Sequence, residues 1–262
     1  MAGIFTISPV NSLSFVRANS LLSNFDNTVY QDLVKDLSKV PYCQKVQKND
    51  TLTIQIKTDF TTITAQLYDV VNNSFTSLTP SEETTYDDFS FWEIPILFDT
   101  NGYYKVFISG GLSGYETVNL ESEMIEVADS WDGVKIEAYN DDNTPFVDYS
   151  TGITHVFRVL GQVRFSDIGG KEEFYNNFGV EQRIYSENEM IDELTVENIP
   201  YYLGKQLIFC SKLDVLKIND LDYIGKDHNL APHPGSHNYD LVIKLSRKSV
   251  PGVNADYQSA TV

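Results

Sequence analysis

Hydrophobic residues recur at every second position from Leu52 through Ile54 to Ile56, with Thr51, Thr53, Gln55 and Lys57 on the other face. A strand places successive side chains on opposite faces, so this spacing predicts a half-buried strand. The same reading covers Ile63, Ala65 and Leu67, then residues 89–98, 103–108 and 124–127. Asn72-Asn73-Ser74, the polar run 79–88, Asn101-Gly102, and Gly110-Gly111 with Gly114 punctuate these runs as turns. Short strands at this spacing predict a mostly β chain in which residues 44–128 form an immunoglobulin-like β-sandwich.

The polar stretch Ala128-Asp129-Ser130-Trp131-Asp132-Gly133 interrupts the alternation, which resumes at Val134, Ile136 and Ala138. A domain boundary is expected there, followed by a second β-rich domain over 129–250. Its strands are expected at 154–165, 180–185, 215–218 and 239–245. One short helix is predicted near 199–211, because Pro200 suits a first helical turn and Leu203, Leu207, Cys210 and Ser211 recur at helical spacing. Residues 1–43 read as an N-terminal arm with strand-like pieces at Ile4-Phe5-Thr6-Ile7 and Ser12-Leu13-Ser14-Phe15-Val16 and a brief helix over 29–40. Two destinations for the arm are open, a neighbouring subunit's sheet or this chain's own. Residues 251–262 form a C-terminal tail.

Composition narrows the partners. The 262 residues carry a formal charge of −18, and no Lys/Arg cluster interrupts it. Such a chain repels phosphate backbones and anionic lipid, so neither nucleic acid nor membrane is an expected partner. No run approaches 18 apolar residues and no cationic segment precedes an apolar one, so a soluble chain without a signal peptide is expected. Cys43 and Cys210 are the only cysteines, and their separation argues against a disulfide framework.

Nucleophile-elbow, phosphate-loop, zinc-helix and paired-cysteine motifs are all missing from the sequence. Gly110-Gly111-Leu112-Ser113-Gly114 lacks the lysine and helix of a phosphate loop and reads as a hairpin turn. His228, His233 and His237 with Asp240 are residue types that ligate zinc, yet Pro232, Pro234 and Gly235 place them in a loop with no motif spacing. No metal or other cofactor is therefore expected. Carboxylates such as Glu187, Glu189, Asp192 and Glu193, or Asp141, Asp142 and Asp148, read as solvated, with nothing selecting a catalytic pair. Aromatic residues are the stronger signal, and Phe5, Phe15, Trp131, Tyr201 and Tyr202 are the candidates for anchoring an interface.

The run Lys135-Ile136-Glu137-Ala138-Tyr139-Asn140-Asp141-Asp142-Asn143, then Phe157-Arg158-Val159-Leu160-Gly161, resembles virion proteins of Bacteroidetes phages and prophages. Ile199-Pro200-Tyr201-Tyr202-Leu203, Leu207-Ile208-Phe209-Cys210-Ser211 and the strand over 215–223 resemble that family's helix, cysteine and following strand. Lys48-Asn49-Asp50-Thr51-Leu52 and Thr64-Ala65-Gln66-Leu67-Tyr68-Asp69 resemble its immunoglobulin-like module, so the likeness spans residues 44–248. It implies a non-enzymatic structural subunit of a tail, baseplate or neck. Such a subunit is assembled in the host cytoplasm as a homo-oligomeric ring with other virion proteins. The family's loop before the last strand is acidic and lacks histidine, whereas His228, His233 and His237 stand here. Two further readings stay open: a carbohydrate-binding or host-adhesion module using exposed aromatic and Asp/Asn groups, and a metal-dependent or carboxylate hydrolase using the loop from His228 to Asp240.

Overall fold

The computed structural model describes residues 5–8, 10–17, 42–86, 88–111, 117–177 and 180–248, with backbone alone over 168–189. The chain is mostly β. Its strands are β1 (Phe5–Ile7), β2 (Phe15–Arg17), β3 (Cys43–Gln47), β4 (Thr51–Thr58), β5 (Thr62–Asp69), β6 (Ser74–Leu78), β7 (Ser81–Thr85), β8 (Ser90–Leu97) and β9 (Gly102–Gly111). They continue as β10 (Val118–Ser122), β11 (Met124–Ala128), β12 (Val134–Tyr139), β13 (His155–Val159), β14 (Gly161–Asn177) and β15 (Val180–Ile199). The helix α1 (Tyr201–Cys210) follows, then β16 (Val215–Ile218), β17 (Leu221–Pro232) and β18 (Tyr239–Arg247).

Strands β1, β4, β8 and β7 make one sheet, and the others make a second that runs from β14 and β15 through β18, β17, β16, β12, β13, β3, β11, β9 and β10 to β2. The two sheets pack face to face around Leu52, Ile54, Ile56, Ile94 and Ile96 from the first and Ala65, Val106, Ile108, Ile125 and Val127 from the second. Two sheets facing one another in this way make a β-sandwich, with the strand expected at Leu52 in its core. A second core lies where α1 covers the sheet: Leu203, Leu207 and Cys210 pack with Ile136, Phe157, Leu194, Val196, Leu241 and Ile243. Neither cysteine forms a disulfide, and Cys210 lies deep in this core.

The two halves share a continuous sheet. β3 pairs in parallel with β11 and touches β13 at Arg158↔Lys45. The N-terminal segment stitches the same seam, with Val10 in the second core and Leu13 in the first. Asn11 exchanges hydrogen bonds with the backbone of Gln55, at 3.0 and 3.3 Å, and its carbonyl accepts from Gln206 Nε2 at 3.1 Å. The Gln55 side chain pairs with the backbone of Asp148 in both directions, at 2.9 and 2.7 Å. Of the arm's two possible destinations, its described strands take the intramolecular one. β1 pairs with β4 and β2 with β10, because edges left open in this chain's own sheets lie closest. The brief helix expected over 29–40 and the tail over 251–262 lie outside the described residues.

Several expectations are corrected. The run 79–88, read as a turn, contains β7, a polar edge strand on β8 whose exposed position removes any apolar alternation. The strand β6 went unread for the same reason. Gly110 and Gly111 belong to the strand β9 and not to a turn; a Cβ on Gly110 would lie 2.2 Å from the Phe5 ring. The single strand expected over 154–165 is two, broken at Leu160, where β13 stays on β12 and β14 leaves to pair with β15. The acidic stretch at 187–193 is strand throughout. His228 lies within β17 and Asp240 within β18, and neither is in a loop.

Candidate functional site

Two features of the second half leave strand edges without a strand partner among the described residues. The first is a ribbon. β14 and β15 pair along their whole length, but β15 meets β18 only from Ile191 to Ile199. Beyond that point the register runs on from Ile168↔Met190 to Asn177↔Val180. Ten residues of β14 at strand rise make a two-stranded arm about 30 Å long. Both its outer edges are without a strand partner among the described residues. Its sequence over 168–189 holds five carboxylates and two basic residues, with Phe174 and Tyr175 near the tip.

The ribbon's root is clamped. Asp192 shares the inward phase of Leu194 and Val196 and is fully buried. Its Oδ2 accepts from Tyr223 Oη at 2.8 Å and from Arg247 Nε at 2.6 Å, tying β15 to β17 and β18. Burial, and next the Asp192 carboxylate, push the Tyr223 hydroxyl above its usual range; the bond to Asp192 raises Arg247. Asp192 was among the residues read as solvated, although its phase with Leu194 and Val196 was visible in the sequence.

The second feature is a groove of about 430 Å³ between α1 and β17, lined by Tyr201, Lys205, Ile208, Phe209, His228, Asn229 and Leu230. The helix contributes positions i, i+4, i+7 and i+8, the side opposite the buried Leu203 and Leu207. Phe209 is 49% exposed, and Lys205 Nζ sits 4.9 Å from the Tyr201 ring centre. The strand side is β17, which pairs with β18 through Pro232 but with β16 only over Leu221–Tyr223. Its other edge, from Ile224 to Pro232, has no strand partner among the described residues.

Two glycines set this geometry. A Cβ on Gly225 would lie 2.1 Å from the Ser211 carbonyl oxygen, whereas one on Gly204 would meet only the end of the Leu230 side chain, at 2.7 Å. Backbone cannot yield as a leucine methyl can. Gly225→Ala is therefore expected to cost about 1–3 kcal/mol. Gly204→Ala is expected to stay near neutral, its crowding offset by a helix-propensity gain of about 1 kcal/mol. Thermal melts of the two variants check the contrast.

The candidate metal residues are dispersed. His233 Nδ1 and Asp240 Oδ1 lie 2.7 Å apart, bracing the turn between β17 and β18, and Asp240 also accepts from the Asn198 N–H at 2.9 Å. The Asn198 bond first, and His233 after it, hold the Asp240 carboxyl below its usual range. His228 faces the groove, and His237 sits in the turn. Among the described residues no group of three His, Cys, Asp or Glu side chains is placed to hold a metal ion.

The aromatic interface candidates divide. Tyr201 lines the groove and packs on Tyr239 with ring centres 5.0 Å apart. Tyr202 is buried, and its hydroxyl donates to Glu123 Oε2, so it serves the interior. Phe5 packs on Phe60 at 5.4 Å and Phe15 against the first core. Trp131 Nε1 donates to the Val46 carbonyl at 2.8 Å, with Lys45 Nζ 4.7 Å from its ring, closing the seam between the two halves of this chain.

Comparison with protein families, with curated proteins and with solved structures finds no match to this chain.

Proposed function

We propose that this chain is a non-enzymatic structural subunit of a phage virion, in the tail, baseplate or neck, acting through symmetric contacts between copies. The observation that carries this reading is the β14–β15 ribbon. A two-stranded hairpin alone in water is marginally stable, and two open edges invite pairing with another chain. A ribbon this long on a compact body is an assembly device: its backbone groups find partners when copies come together. The residues of the likeness to phage virion proteins supply the kind of particle. On this reading residues 44–128 are an immunoglobulin-like module, 129–250 form the second domain, and the net charge of −18 keeps free subunits apart until specific contacts form.

The test removes the ribbon and spares the fold. Replacing residues 168–189 by a short Asn-Gly turn leaves β14 and β15 paired from Gly161 to Asp167. The full chain is expected to sediment as a closed oligomer, with rings visible by electron microscopy. The shortened chain is expected to sediment as a monomer with an unchanged melting profile. Equal assembly by both chains would refute the reading.

A further inference from the structure

We infer that the groove between α1 and β17 receives the β14–β15 ribbon of a second copy, so that subunits join head to tail; this rests on the assembly reading above. The strand register sets the direction. β15 runs beside β18 from Ile199↔Tyr239 to Ile191↔Ser246, and the ribbon continues past the Ser246 end. The groove's strand residues His228, Asn229 and Leu230 pair with Ile243, Val242 and Leu241, towards the Tyr239 end. Each ribbon therefore points away from its own groove and is presented to a neighbour's.

The groove specifies what fills it. Beyond Lys226, whose carbonyl already accepts from Lys212, the edge of β17 over Asp227–Pro232 has no strand partner among the described residues and presents backbone donors and acceptors, which an added strand satisfies. Ile208, Phe209 and Leu230 provide an apolar wall, and Lys205 a cation. Lys212 stands beside it, its ammonium donating to the Lys226 carbonyl, against Asp227 as the acidic residue over Ile224–Pro232. This is a locally basic spot on a chain of charge −18. The ribbon is extended and carries five carboxylates, two basic residues, and Phe174 and Tyr175. Unlike charges on donor and acceptor favour this pairing over two ribbons or two grooves meeting. Because donor and acceptor are different surfaces, the contact is heterologous, and heterologous contacts that close give rings.

Mixing two assembly-deficient chains tests the inference. One is the ribbon-shortened chain, which keeps its groove. The other carries Lys205→Glu and Phe209→Glu, both exposed positions, and keeps its ribbon. The second chain alone is expected to melt like the wild type and associate at least about a hundredfold more weakly. Mixed, the two are expected to form a one-to-one heterodimer by native mass spectrometry, since one intact donor meets one intact acceptor. If the groove variant assembles like the wild type while the shortened chain is monomeric, the groove is not the acceptor, though assembly through the ribbon stands. The same holds if the mixture yields no heterodimer. A wild type that stays monomeric at all concentrations overturns the assembly reading, and the groove's occupant falls with it.

Discussion

Arg247→Ala is expected to lower the stability of the fold by about 3 kcal/mol, the low end of the range for breaking a buried ion pair. The loss comes from what the substitution leaves behind. Asp192 is fully buried, and its Oδ1 already has no hydrogen-bond partner. With the guanidinium gone, the carboxylate keeps only the Tyr223 hydroxyl. Arg247 is itself 30% exposed at its side chain, which holds the expected loss towards the lower figure. A double variant, Asp192→Asn with Arg247→Leu, removes both charges and keeps an acceptor for Tyr223. It is expected to recover most of the loss in urea unfolding, and equal instability of the single and double variants would show that the charge left in the interior is not the cause. Asp192 lies one residue from the last β15–β18 pair, so Arg247→Ala is also expected to speed amide exchange across the ribbon's root.

Glu123 makes stability depend on pH in the direction opposite to most carboxylates. It falls between β10 and β11, where helix, sheet and N-terminal segment meet, and is 8% exposed. Tyr202 donates to one oxygen, and the Ser14 N–H donates to the other at 3.0 Å. Burial outweighs both bonds and pushes the carboxyl up to about 7 from 4.5. The folded state therefore holds a proton that the unfolded chain releases. The resulting stability is fully present below pH 4.5 and is lost as pH rises through 7. Over that window Glu123 by itself is expected to remove up to about 3 kcal/mol, set below pH 6.5 against the opposite contribution of buried His155. Glu123→Gln keeps an acceptor for Ser14 and cannot ionise, so above pH 6.5, where buried His155 is neutral in both folded and unfolded chains, it is expected to escape this loss and to exceed the wild type at pH 8. Glu123→Ala removes the acceptor of the Ser14 N–H and, like Gln, cannot ionise, so its cost of about 2–4 kcal/mol is expected at pH 5 and shrinks as pH rises through 7. Urea melts across the pH range separate the three chains, and a Gln variant that parallels the wild type would show that another group titrates.

Some of this was readable along the chain. The alternation at Leu52, Ile54 and Ile56 marks a strand because each of those side chains meets the same core. Leu203, Leu207 and Cys210 mark the buried stripe of α1, and so, by exclusion, the side carrying Tyr201, Lys205, Ile208 and Phe209. Asp192 was legible in phase but was masked by its acidic neighbours. Glu123 had no phase at all, since it sits at a break between strands. The prolines and glycine after His228 suggested a loop, but His228 precedes them and is held in β17 by its pairing with Ile243.

Gln55 shows where local pattern stops. It alternates with Ile54 and Ile56 as an outward polar residue, yet it is fully buried, because residues 11 and 148 close over that face from 44 and 93 positions away. Periodicity reports how a side chain sits relative to its own sheet. It carries no record of which distant segment covers the opposite face, or which edge is left without a strand. The mostly β character, the helix and its buried stripe follow from local alternation and propensity. The seam through Asn11 and Gln55, the ribbon beyond β18 and the open edge of β17 depend on how far each pairing runs before the chain closes, and that is settled only when the whole sheet has formed.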